Sequence, residues 1–212
     1  MSTISINHMK LYNNQVKMNS KTLISSASEA KIQTKRKPKI SLIIGGIKSG
    51  KSSYALEYTM GFGNTAEERA IVATSSERVD EIKEKCIAMK IDPNNSFLIF
   101  EEKNYVPQII EKIPHSAQIV IIDNISSWIA NLITGKKDAT LLENELESLI
   151  EKTNKDIILI SNIVGLGIIP EKESDQTFRD QSGFFNQRLA KIADNVILMV
   201  AGIPIKVKGE ML

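Results

Sequence analysis

Cysteine is almost absent from this 212-residue chain: Cys86 stands alone, so an intrachain disulfide is excluded. That composition suits a reducing compartment, and a cytoplasmic location is expected. Histidine is nearly as scarce, with only His8 and His115, which leaves few candidates for imidazole chemistry. No apolar run approaches the roughly 20 residues that span a bilayer, so no membrane-spanning helix is expected. The longest runs, such as Ile119–Ile122, have the length of buried strands. A strong charge of one sign is also missing: the net formal charge is +2. Residues 1–39 hold eight basic residues and one acidic residue, leaving 19 basic against 24 acidic beyond them, a net of −5. The main body therefore offers no bulk positive charge for nucleic acid, and no nucleic-acid partner is expected.

What is present falls into two parts. Residues 1–38 are rich in Ser, Asn and Lys, lack sustained periodicity, and read as a disordered or variable extension. Their acid-poor, Ser-rich character is shared with organelle transit peptides, but those favour arginine and Arg36 is alone here. A start at Met9 or Met18 is an open alternative. From residue 39 to 212 one domain is expected, with 42% hydrophobic residues across the chain to build its core. Apolar, β-branched runs at Ile40–Ile44, Ile71–Ala73, Ile119–Ile122, Ile157–Ile160 and Val196–Val200 suit strands buried on both faces. Amphipathic stretches separate them. Leu141–Thr153 places Leu142, Leu146, Leu149 and Ile150 on one helical face and turns Glu143, Glu147 and Glu151 elsewhere, and Phe185–Ala193 also reads as helix. The alternation predicts an α/β fold with a mainly parallel sheet. Ile205–Lys208 reads as a last edge or hairpin strand, with Lys206 and Lys208 discouraging pairing to another molecule.

The strongest local signal is Gly45-Gly46-Ile47-Lys48-Ser49-Gly50-Lys51-Ser52, a complete G-x-x-x-x-G-K-[ST] between the strand run Ile40–Ile44 and the helix-compatible stretch Ser53–Met60. Glycines allow the backbone to fold around phosphate, and a helix N-terminus adds partial positive charge. Lys51 is expected to reach the β/γ phosphates of ATP or GTP, and the Ser52 hydroxyl to bind Mg2+. Asp123 ends the run Ile119–Ile122, where an acid sharing that metal is expected; capping of the following helix is the competing role. Trp128 and Met60 read as packing groups.

Four stretches together resemble the adenosylcobinamide kinase/adenosylcobinamide-phosphate guanylyltransferase family. They are Gly45–Ser52; Ile71-Val72-Ala73-Thr74-Ser75; Asp123–Ile133; and Ser161–Lys208. The last contains Val164-Gly165-Leu166-Gly167-Ile168-Ile169-Pro170-Glu171, Phe178-Arg179-Asp180, Gly183, Asn186-Gln187-Arg188, Ala193-Asp194 and Gly202-Ile203-Pro204-Ile205-Lys206. The resemblance covers roughly residues 40–208. It implies a RecA-like P-loop NTPase fold, a homo-oligomer, and two reactions on a corrinoid substrate. The aminopropanol hydroxyl of adenosylcobinamide is phosphorylated from ATP or GTP, then GMP from GTP is joined to that phosphate. It adds Thr74, Ser75 and Glu101 to the nucleotide contacts. Arg179 is a candidate catalytic group, since guanidinium pairs with phosphate oxygens; for Arg179 and Arg188 alike the competing reading is an ion pair with Asp180 or Asp194.

Three departures stand out. The family forms its guanylyl intermediate on a histidine after the second strand, within a pattern like R-I-x-x-H. Here the matching segment is Lys85-Cys86-Ile87-Ala88-Met89, and Met89 holds the histidine's place. Ile163 stands where the family usually has glutamate, and Asp92-Pro93-Asn94-Asn95-Ser96-Phe97 replaces an R-P-x-x-W segment. The kinase half is therefore expected to persist and guanylyl transfer to be weakened or lost. Lys85 or Lys90 as a substitute acceptor is an open alternative, though such lysines are usually solvated; Cys86 reads as a packing residue and His115 as a loop residue. Against the kinase stand three other readings: the full bifunctional enzyme with a rearranged acceptor, a P-loop protein that binds nucleotide and corrinoid without catalysis, and a kinase of another small alcohol.

Overall fold

The structure is a computed structural model that describes residues 37–165 and 171–212. The 1–38 extension and the core of the Val164–Glu171 motif thus lie outside the described residues, save for their edges. In chain order the elements are β1 (Ile40–Gly45), α1 (Lys51–Thr59), β2 (Arg69–Ala73), α2 (Ser76–Ala88), α3 (Pro93–Ser96), β3 (Leu98–Glu101) and α4 (Val106–Lys112). These are followed by β4 (Ile119–Asp123), α5 (Ile125–Thr134), α6 (Ala139–Lys152), β5 (Asp156–Asn162), α7 (Glu173–Ile192), β6 (Asn195–Val200) and β7 (Ile203–Lys208). The strands form one sheet in the order β3-β2-β4-β5-β1-β6-β7. All neighbours run parallel except the β6–β7 hairpin. One strand, β5, separates the glycine-rich loop's strand β1 from β4, which ends at Asp123.

Alternation along each strand divides its side chains between two cores. Leu42, Val72, Val120, Ile122 and Leu159 face α4, α5, α6 and α7, where Trp128, Leu146 and Phe185 are buried. Ile43, Ile71, Ile121, Ile158 and Ile197 face α1 and α2, packing on Leu56, Ile82 and Cys86. Both faces are covered, which is why the strand runs are continuously apolar rather than alternating. The register sets Gly45 beside Asn162 and Ala73 beside Asp123. The carboxyl ends of four strands consequently meet on one side, where open α/β sheets bind ligands. Among the described residues no helix is long and apolar enough to cross a membrane.

Helix α6 departs from its expected polar face. Glu143 is buried, hydrogen-bonded through Oε2 to Nη1 of Arg188 at 3.0 Å, while Nε of Arg188 meets Oε1 of Glu147 at 2.8 Å and Nη2 bonds Asn144. Arg188 thus ties α7 to α6 and does not pair with Asp194, whose Oδ2 accepts from the Ile40 amide at 2.9 Å. Burial raises the Glu143 carboxyl to about 7, Arg188 pulling against it and Glu147 adding to it. The native chain then holds a proton that the unfolded chain releases. This stabilisation is full below the ordinary carboxylate value of 4.5 and is lost as pH rises through about 7. The wild-type Tm is expected to fall from pH 5 to pH 8 more steeply than that of Glu143→Gln, followed by calorimetry at matched ionic strength. Parallel slopes would contradict this account.

Candidate active site

The loop begins where β1 ends. A Cβ on Gly45 would lie 2.5 Å from the Met199 carbonyl oxygen and 2.7 Å from Oγ of Ser49, so only glycine fits. Gly50 takes φ 99° as it caps α1, and no side chain bonds the helix's first amides there. Those amides remain available to an anion, and the helix dipole favours one. The turn between β6 and β7 supports the loop from behind: the Gly202 amide donates to the Ser49 carbonyl at 3.0 Å. Lys51 is buried, its Nζ donating to the carbonyls of Gly45 at 3.1 Å and Gly46 at 2.6 Å. Desolvation lowers its pKa, Asp123 opposes the shift, and Arg78 and Lys85 reinforce it. Ser52 is buried in the first turn of α1.

Asp123 is 1% exposed, and its Oδ1 makes no hydrogen bond. The competing capping role falls instead to Asn124, whose Oδ1 accepts from the amides of Ser126 at 2.7 Å and Ser127 at 3.2 Å. A buried carboxylate oxygen without a donor is costly unless something occupies its lone pairs. A hard cation would satisfy it. Among the described residues no group of three or more His, Cys, Asp or Glu is placed to hold a metal ion. A cation here would draw on one carboxylate, the Ser52 hydroxyl and ligand oxygens, the sparse protein ligation usual for magnesium beside phosphates.

A cavity of about 290 Å³ opens above the loop. Ile47 to Ser53 line one side, Arg78, Glu81 and Lys85 the other, with Asn124 and Asn162 at the strand ends. The second wall is a stripe of α2. Ser75 caps that helix by accepting from the Arg78 amide at 3.2 Å, and spacings of three and four then put residues 78, 81 and 85 on one face, with Ile82 and Cys86 buried on another. Glu81 Oε2 pairs with Arg78 Nη1 at 2.8 Å and lies 3.8 Å from Lys85 Nζ.

Residues Ile47, Lys48, Ser49, Gly50, Lys51 and Ser52 therefore share the cavity, with Gly45 and Gly46 shaping the loop beneath it. Other expected site residues lie elsewhere. Thr74 is fully buried, exchanging hydrogen bonds with the Asn124 backbone, and Ser75 acts as a helix cap. Glu101 is exposed beside Lys103 at 3.6 Å. Arg179 binds its neighbour Asp180 through Nε at 2.8 Å and Nη2 at 2.7 Å and does not line the cavity. Met89, where the resemblance puts the family's histidine, sits at the C-cap of α2, packs against the core and does not line the cavity. Met60, expected to pack, is 36% exposed. Cys86 is buried in the core as expected. Arg78, Glu81, Asn124 and Asn162 were missed. The helical spacing behind the Ser75 cap was the signal for the first two; nothing local marked the asparagines.

Complete G-x-x-x-x-G-K-[ST] geometry at the carboxyl edge of a parallel sheet, with an acid on β4, defines a P-loop NTPase with a RecA-like sheet. Residues 41–207 match the model of the family described as cobinamide kinase / cobinamide phosphate guanyltransferase. The chain belongs to that family, which consists of transferases. It is 28% identical over 174 residues to the bifunctional adenosylcobalamin biosynthesis protein CobP of Pseudomonas aeruginosa, covering 81% of this chain and 98% of that protein. It is also 28% identical to the bifunctional adenosylcobalamin biosynthesis protein CobU of Escherichia coli, covering 79% of this chain and 98% of its relative. Among solved structures, a KaiC-like protein from Pyrococcus horikoshii superposes with a TM-score of 0.47 at 16% identity, over 76% of this chain and 70% of the other. The fold assignment rests on the chain's own strand order and loop rather than on that likeness.

Proposed function

We propose that this protein phosphorylates the aminopropanol hydroxyl of adenosylcobinamide from ATP or GTP, and that guanylyl transfer to the product is weakened or lost. The observation that carries the first part is Lys51 lining the cavity, with the buried Asp123, whose Oδ1 is unsatisfied, near enough to act on its charge; these are the two charges a nucleotide's phosphates and their metal require. Mg2+ fits the Ser52 and Asp123 oxygens, and when bound it neutralises phosphate charge. The chain's part is positional. The amides at the start of α1 cradle the phosphates, Lys51 holds the terminal ones, and Ser52 and Asp123 fix the cation's side of the nucleotide. The second part rests on α2, which carries no histidine at all. Family resemblance adds a homo-oligomer acting on a corrinoid, and the single cysteine and the acidic balance beyond residue 39 favour the cytoplasm and no nucleic-acid partner.

The deciding experiment uses purified protein with Mg2+, adenosylcobinamide and either γ-labelled ATP or α-labelled GTP. Label from ATP is expected on the corrinoid, with little from GTP's α-phosphate on corrinoid or protein. Acid-labile GMP on the protein would show that guanylyl transfer survives on another acceptor. Nucleotide binding without any labelled corrinoid would overturn the kinase reading.

A further inference from the structure

Arg78 is the one arginine among the cavity's lining residues, and the function as proposed leaves it unused. It stands at the third position of α2, across the cavity from the phosphate loop, with a side chain 21% exposed. Its Nη1 is held by Glu81 at 2.8 Å. Its Nε lies 3.8 Å from Oδ1 of Asp123, too far for a hydrogen bond, and that oxygen indeed has no partner. Among the described residues nothing accepts from Nη2. The guanidinium is thus anchored at one nitrogen while two donor edges remain unspent. A residue whose task was to neutralise Asp123 would close on it, as charge-assisted pairs do at 2.7–2.9 Å. Arg78 instead keeps its distance, close enough to Lys51 to help depress its pKa. Two cations facing each other across an anion-sized cavity repel until an anion enters.

We propose that Arg78 is a catalytic residue of the phosphoryl transfer, its free guanidinium edge contacting the terminal phosphoryl group as it moves from nucleotide to acceptor. This rests on the kinase reading. In the step, the terminal phosphorus bonds to the acceptor's hydroxyl oxygen while the bridging P–O bond breaks. The nucleoside diphosphate leaves with that electron pair, and the hydroxyl proton passes to water. Negative charge on the equatorial oxygens is where a planar, permanently charged donor is most useful, and it is greatest in the transition state. Glu81 fixes the guanidinium, so little reorganisation is needed when the phosphates arrive.

Arg78→Ala and Arg78→Lys are compared with wild type in two measurements. The first is steady-state phosphorylation of cobinamide by ATP. For Arg78→Ala, kcat is expected to fall about 10²–10³-fold with KM for ATP within about threefold, and Arg78→Lys to recover only part of the loss. The second is calorimetric binding of ADP with Mg2+, with and without aluminium fluoride, which mimics the phosphoryl group in flight. Fluoride is expected to tighten ADP binding in wild type and to do so far less in Arg78→Ala, with ADP affinity alone unchanged. Equal loss of affinity with and without fluoride would reduce Arg78 to a structural or ground-state role and overturn the proposal. So would a kcat within threefold of wild type, or a wild type indifferent to fluoride. If wild type phosphorylates no cobinamide, the substrate reading fails, yet the fluoride arm still decides Arg78.

Discussion

Lys51→Ala is expected to lower phosphoryl transfer at saturating nucleotide on the order of 10²–10³-fold while leaving the thermal midpoint unchanged or slightly raised. The two halves have separate causes. In the structure Nζ bonds only the Gly45 and Gly46 carbonyls, which belong to the loop that would hold the phosphates. Removing it deletes the charge nearest the phosphates without disturbing the glycine backbone, which is shaped by Gly45 against Met199. Stability should not suffer, because desolvation already works against the charged amine in the folded chain. Label transfer and differential scanning calorimetry on the same preparation test both halves. Turnover within tenfold of wild type would remove Lys51 from the chemistry, whereas a large drop in midpoint would show that the loop itself had collapsed.

The largest stability effect should come from Trp128→Ala, at about 3–5 kcal/mol. Trp128 is fully buried, its ring 6.1 Å from that of Phe185 at an interplanar angle of 53°, and its Nε1 donates to the Asn104 carbonyl at 2.7 Å. The ring joins α5 to α7, and the indole N–H ties α5 to the segment after β3. Truncation leaves a cavity and orphans a carbonyl at once. Against a total stability of roughly 5–15 kcal/mol the loss is a large share. Trp128→Phe keeps most of the burial and should cost about 1–3 kcal/mol, chiefly for the abandoned carbonyl. Urea unfolding monitored by circular dichroism distinguishes the two. An alanine variant that loses under 1 kcal/mol would mean that the helices close over the gap.

Much of the sheet could be read from the chain because burial on both faces writes unbroken apolar runs: β1, β2, β4, β5 and β6 each contain one. Strand β3 was not legible, since Leu98–Glu101 is only four residues long and half-buried at the sheet's edge. Helix α7 begins at Glu173, well ahead of the expected Phe185, because its first turns are polar and exposed, and periodicity has little to act on there. The phosphate loop was readable as a contiguous string. The opposite wall of the cavity was not, because Arg78 gains its meaning only from a helix packing that brings it near Asp123. Of the two readings that the sequence left open for Arg179, the structure shows the ion pair with Asp180, one residue away.

The support that Gly202 gives to the Ser49 carbonyl has a consequence in time as well as in space. The motif precedes in the chain both the turn that braces it and Leu212, whose carbonyl accepts from the Tyr54 hydroxyl of α1 at 2.9 Å. A nascent chain therefore carries its nucleotide loop unbraced until Gly202 has been made, and a stop just before Gly202 would spare the parallel strands while leaving the loop without its backing.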